Sequence, residues 1–152
     1  MWLYGPAGAG KSAIAQTIAE LYHELKLLAA SFFFPGQQRV AVIVLILSLH
    51  FTYQLCLSIP EIRTYAEEAV ELDPEIFSFS LEVQLQRMII EPLSHFHNNL
   101  DQNHGHIHAR LIIIDGLDEC SSAGLVQSSI LQVLAENLPV PMLLLIATCK
   151  SF

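Results

Sequence analysis

Positive charge is scarce in this chain. Seven lysines and arginines stand against fifteen aspartates and glutamates in 152 residues, a formal net charge of −8 at pH 7. That balance argues against nucleic acid as a partner, because a phosphate backbone demands a basic surface. Cysteine is scarce too. Cys56, Cys120 and Cys149 are far apart and odd in number, so they supply neither a disulfide framework nor a metal-ligand spacing. Long apolar runs are missing. The stretch Val40 to Leu49 is nearly all apolar but spans only ten residues before His50, against the ~20 that a membrane-spanning helix needs. A buried helix or strand is expected there, and no membrane partner. There is no charged leader with a cleavage site at the start, and no repeat or low-complexity tract further on. These absences make a cytoplasmic location the default expectation.

Apolar residues are plentiful, at 53% of the chain with only 14% charged. Parallel sheets produce that bias, because their strands are buried on both faces. The length suits one domain. Residue patterning predicts a strand at 2–4, a helix at 12–27, a strand at 28–34 and a helical stretch from about 42 to 100. A strand at 110–115, a helix at 123–137 and a strand at 142–147 follow. Such alternation predicts an α/β fold with a parallel sheet and right-handed crossovers. Ile14, Ile18, Leu21, Tyr22 and Leu25 share one face of the first helix. Leu81, Leu85, Met88, Ile89 and Leu93 keep helical spacing, as do Val126, Ile130, Val133 and Leu134. Pro139 and Pro141 break the chain before the last strand.

The most informative segment is Gly5, Pro6, Ala7, Gly8, Ala9, Gly10, Lys11 and Ser12, a full match to G-x-x-x-x-G-K-[ST]. It lies between a strand and a helix, where backbone N–H groups turn inward on a phosphate and the helix N-terminus adds partial positive charge. Lys11 is expected to reach the outer phosphates and Ser12 to hold magnesium. Residues 111–115 form a second segment, an apolar run ending in Asp115. In a phosphate-loop fold that carboxylate serves the magnesium at the C-terminal end of a central strand. Asp118 or Glu119, close behind, is then placed to orient the water that attacks the terminal phosphate.

In these two segments the chain resembles the NACHT NTPase domain of fungal NOD-like proteins and the nephrocystin-like N-terminal domain. Ala29 to Phe34, Ile59-Pro60-Glu61 and Ile90-Glu91-Pro92-Leu93 also look like those sequences, whereas apolar 40–49 replaces an expected polar, basic loop. The resemblance implies a P-loop NTPase, a three-layer αβα fold with strand order 5-1-4-3-2. Residues 1–152 would be a partial domain in which the first strand is short and the fifth missing. A marginally stable chain is expected on that basis. The resemblance also implies a residue sensing the terminal phosphate just past the fourth strand, where Thr148-Cys149-Lys150 stands and Lys150 is the candidate. It further implies a signalling switch of the STAND type that binds ATP or GTP with Mg2+, hydrolyses it slowly and self-associates through further domains.

Two other readings remain. One is a non-catalytic remnant that binds nucleotide weakly or serves as an interaction module; the other is a phosphoryl-transferring kinase. The acidic pair behind Asp115 favours water over a second acceptor. Five histidines between 95 and 108, His104, His106 and His108 among them, fall in a polar loop and are not expected to form a specific metal site. Cys120 and Cys149 are not expected to be catalytic.

Overall fold

The structure is a computed structural model that describes residues 1–34, 40–102, 109–119, 124–139 and 142–148. Strand β1 (Trp2–Tyr4) leads through a glycine-rich loop to helix α1 (Lys11–Glu24) and strand β2 (Leu28–Phe33). Helices α2 (Val40–Ser58), α3 (Arg63–Leu72), α4 (Leu81–Leu85) and α5 (Glu91–Gln102) follow. Strand β3 (Arg110–Asp115), helix α6 (Gly124–Asn137) and strand β4 (Met142–Thr148) complete the order. All the strand pairings are parallel and the spatial order is β1-β4-β3-β2. The expected order 1-4-3-2 is therefore present, with β1 at one edge of the described sheet and β2 at the other.

Strand β3 sits between two neighbours and shows why the sheet forms here. Its Ile112, Ile113 and Ile114 are fully buried, and β-branched side chains suit a pleated surface covered on both sides. Alternate residues divide between two apolar clusters. Leu111 and Ile113 join Ala15 and Ala19 of α1 on one face. Ile112 and Ile114 join Phe51, Leu85, Ile89 and Ile130 on the other. Helix α1 covers one side and the remaining helices contribute to the other, an arrangement compatible with three αβα layers.

The buried face of α1 departs from expectation. Ala15 and Ala19 are buried while Ile14, Leu21 and Leu25 are about half exposed, and Ile18 and Tyr22 flank the contact. Small alanines let the helix axis lie close to the sheet, so the buried stripe is rotated away from the larger side chains.

The long helical stretch is broken at its prolines. Pro60 and Pro74 each open a short 3-10 turn (Pro60–Ile62 and Pro74–Ser78), where a missing N–H costs nothing. Between α4 and α5, residues Gln86–Ile90 make a π-helical turn. Pro92 lies two residues beyond and has no N–H to donate one turn back, so the wider turn accommodates it. Leu81, Leu85, Met88, Ile89 and Leu93 are all buried, as their spacing predicted. The apolar stretch 40–49 is helical and opens α2. Among the described residues no helix is long and apolar enough to cross a membrane.

Both edges of a parallel sheet carry backbone groups that invite foreign strands. On β2 the Gln54 side chain of α2 answers them. The Ser31 N–H donates to Gln54 Oε1 at 2.9 Å, and Gln54 Nε2 donates to the Ser31 carbonyl at 2.8 Å. Ser58 Oγ donates to the Ala29 carbonyl at 2.9 Å. One amide side chain thus copies the pairing of a neighbouring strand. Gln54→Leu should cost about 1–3 kcal/mol, because it leaves two part-buried backbone groups unsatisfied. Urea unfolding and light scattering check this; a change below ~0.5 kcal/mol without added aggregation would remove the edge-protecting role.

Candidate functional site

The loop after β1 takes its shape from two glycines and one carbonyl. Gly8 and Gly10 both have φ of +78°, a conformation that side-chain-bearing residues adopt at a cost. Gly10 caps α1, its carbonyl accepting the Ile14 N–H at 3.0 Å. The Pro6 carbonyl accepts from the Ala9 N–H at 3.2 Å and from Lys11 Nζ at 2.8 Å. Lys11 is 92% buried, with 8% of its surface exposed, so its ammonium is held within the curve of the loop. A lysine ammonium has three donors, and one of them is spent on Pro6.

The ends of two central strands form the opposite wall. Asp115 closes β3, where the Phe34 N–H donates to its carbonyl at 2.9 Å; the next residue, Gly116, donates its N–H to the Ala147 carbonyl at 3.1 Å. Those two bonds fix the end of β3 from both sides. Thr148 closes β4 and is 1% exposed. A 3-10 turn, Leu117–Glu119, carries Asp118 back toward the loop.

Loop and strand ends enclose one cavity of about 320 Å³. Gly8, Gly10, Lys11, Ser12, Asp115, Asp118 and Thr148 are in its lining. Residues about 100 positions apart in sequence are thereby brought together. One ammonium, two hydroxyls and two carboxylates converge on the same space. An ammonium suits an oxyanion, and carboxylate and hydroxyl oxygens suit a hard divalent cation. The donor set therefore fits a phosphate chain carried with magnesium.

The expected site residues fare differently. Ala7 also lines the cavity, whereas Gly5, Pro6 and Ala9 shape the loop without lining it. Glu119 ends the 3-10 turn. Lys150 lies outside the described residues, as do Cys120, Cys149, His104, His106 and His108. Among the described residues no group of three or more His, Cys, Asp or Glu side chains gathers to hold a metal ion.

A contact that sequence reasoning missed is the bond from Trp2 Nε1 to Thr148 Oγ1, at 3.1 Å. It ties the chain's single tryptophan to a residue that lines the cavity. Only the β1–β4 register, with Trp2 opposite Ile146 and Tyr4 opposite Thr148, brings the two residues within reach.

The loop glycines separate by backbone conformation. A Cβ at Gly8 or Gly10 meets no atom within 4 Å, and one at Gly5 stands 3.9 Å from Ala9 Cβ. Space is therefore available at all three, and only the positive φ of Gly8 and Gly10 penalises a side chain. Gly8→Ala and Gly10→Ala should each cost about 1–2 kcal/mol, with Gly5→Ala within ~0.5 kcal/mol of the parent. Chemical denaturation of the three variants checks the order; equal losses at all three positions would contradict it.

No curated protein matches the sequence. The model of the family described as Nephrocystin 3, N-terminal, matches residues 1–148. This chain, from β1 to the end of β4, belongs to the nephrocystin 3 N-terminal family.

Proposed function

We propose that this domain is the nucleoside-triphosphate-binding core of a signalling switch of the NACHT type, with Mg2+ as the accompanying ion and slow hydrolysis. One observation carries the reading. Ala7, Gly8, Gly10, Lys11 and Ser12 of the full-length phosphate-loop pattern and the Asp115 strand end, distant in sequence, line a single cavity. On this reading the loop N–H groups and Lys11 bind the phosphates. Ser12 and Asp115 hold the magnesium, whose charge offsets that of the phosphates when it is bound. Asp118 or Glu119 orients the attacking water. Lys11 would exchange the Pro6 carbonyl for a phosphate oxygen, trading a neutral acceptor for a charged one.

The family match supports a NACHT-related region without reaching the chemistry. Water as the phosphoryl acceptor is favoured by the acidic residues that follow Asp115, and this sets the proposal apart from a kinase. Self-association belongs to the same proposal, through domains outside these residues.

Titration calorimetry with Mg-ATP and Mg-GTP tests the binding role. Lys11→Ala should weaken affinity by about 10- to 100-fold, the equivalent of one charge-assisted hydrogen bond. Unchanged affinity in a folded variant would remove Lys11 from the site. Hydrolysis is tested separately by phosphate release without an added acceptor. At least one of Asp118→Asn and Glu119→Gln should keep nucleotide affinity within about twofold yet slow turnover by about 10²-fold. Parent rates in both variants would refute the water-handling role.

A further inference from the structure

Helix α2 is apolar on two sides, and only one of them meets the core. Leu47, Phe51 and Leu55 are fully buried. Ile46, Leu49, Tyr53 and Leu57 form a second stripe at helical spacing, with exposures of 43, 42, 64 and 55%. Single exposed apolar residues need no explanation, but a contiguous stripe marks an interaction surface. Three of these residues, Leu49, Tyr53 and Leu57, form one wall of a groove of about 580 Å³ between α2 and α3. Val70 and Phe77 are on the other side, with Cys56 and Met88 also in the lining.

The charge along this groove has one dominant sign. Glu67 and Glu71 lie one turn apart on α3 and both line it, with Arg63 as the cation in the lining. Glu61, Glu68 and Glu75, before, along and after α3, are exposed as well. Burial pushes the Cys56 thiol upward, Arg63 pulls it down and Glu67 raises it again, so both charges act at the groove floor.

We infer that this groove is the docking site for a basic amphipathic helix of a partner chain. The stripe from Ile46 to Leu57 rises ~16 Å, about three helical turns. A helix laid along it would seat apolar residues at i, i+3 or i+4, and i+7 against Leu49, Tyr53 and Leu57. Its lysines or arginines would face Glu67 and Glu71. The same charges disfavour the other occupants. A second copy would bring its own acidic groove and a net charge of −8. An anionic membrane surface would be repelled by the glutamates. The inference does not depend on nucleotide binding.

The test uses two labelled amphipathic peptides of about 14 residues with the same leucine face, one carrying lysines and the other glutamates. Fluorescence anisotropy should show the lysine peptide binding the parent chain, more weakly as salt rises. The glutamate peptide should bind at least about tenfold more weakly. Glu67→Lys combined with Glu71→Lys should reverse that preference. Tyr53→Ser with Leu57→Ser should weaken the lysine peptide by about tenfold or more. All four substitutions are at exposed positions, and circular dichroism verifies the fold of each variant. Absence of binding, equal affinity for both peptides, or indifference to the charge reversal would overturn the inference. So would dimerisation of the chain, or adsorption to vesicles, that the Tyr53 and Leu57 changes abolish.

Discussion

The end of strand β3 is the constraint on which the rest of the site depends. Ile112, Ile113 and Ile114 are buried from both sides, and neighbouring strands hold the strand in parallel register. Its last carbonyl accepts from Phe34, and the following N–H donates to Ala147. A residue in that position has little freedom, because moving it would break hydrogen bonds to both neighbours and disturb two apolar clusters. Asp115 is thus a carboxylate delivered by packing, opposite a loop whose own shape is set by Gly8 and Gly10. The core places the carboxylate, and the loop places the lysine.

That placement has an electrostatic consequence for the proposed reading. Two aspartates share the cavity with one lysine, in a chain of net charge −8. A triphosphate entering without a cation would meet repulsion that Lys11 and the loop N–H groups oppose only in part. Magnesium, which Ser12 and Asp115 would hold, would supply the charge that offsets it. Nucleotide binding on this account therefore depends strongly on magnesium. The α2–α3 groove is also acidic, but it pairs that charge with an apolar floor and so selects a different class of ligand.

Much of the sheet was legible in the sequence because strong local signals mark each strand. Apolar runs at 2–4, 28–34, 110–115 and 142–147 gave strand positions within one residue of those observed. The strand order agrees with the one that the family resemblance implied. The loop glycines and Lys11 were legible because their spacing is itself a geometric requirement. The orientation of α1 was less so, since periodicity marks an apolar face and cannot say that Ala15 and Ala19 outrank Ile14 and Leu21 for closeness to the sheet. The Gln54 clasp on Ser31 and the Trp2–Thr148 bond were invisible. Both join residues whose proximity depends on tertiary register. The breaks within 42–100 were not anticipated: a single helical stretch was expected where Pro60 and Pro74 open 3-10 turns, and a π-helical turn has no pattern of its own.

The central claim is that the loop at 5–12 and the β3 end form one magnesium-dependent phosphate site. Thermal unfolding of the purified chain with ATP, GTP and a non-hydrolysable analogue, each with and without magnesium, tests it most directly. Ligands that bind the native state raise its stability by mass action, by ~2.7 kcal/mol at a hundredfold excess over Kd. The account predicts an upward shift with at least one triphosphate and its analogue that disappears when magnesium is withheld. A folded chain whose melting temperature is indifferent to every nucleotide, with or without magnesium, would contradict it.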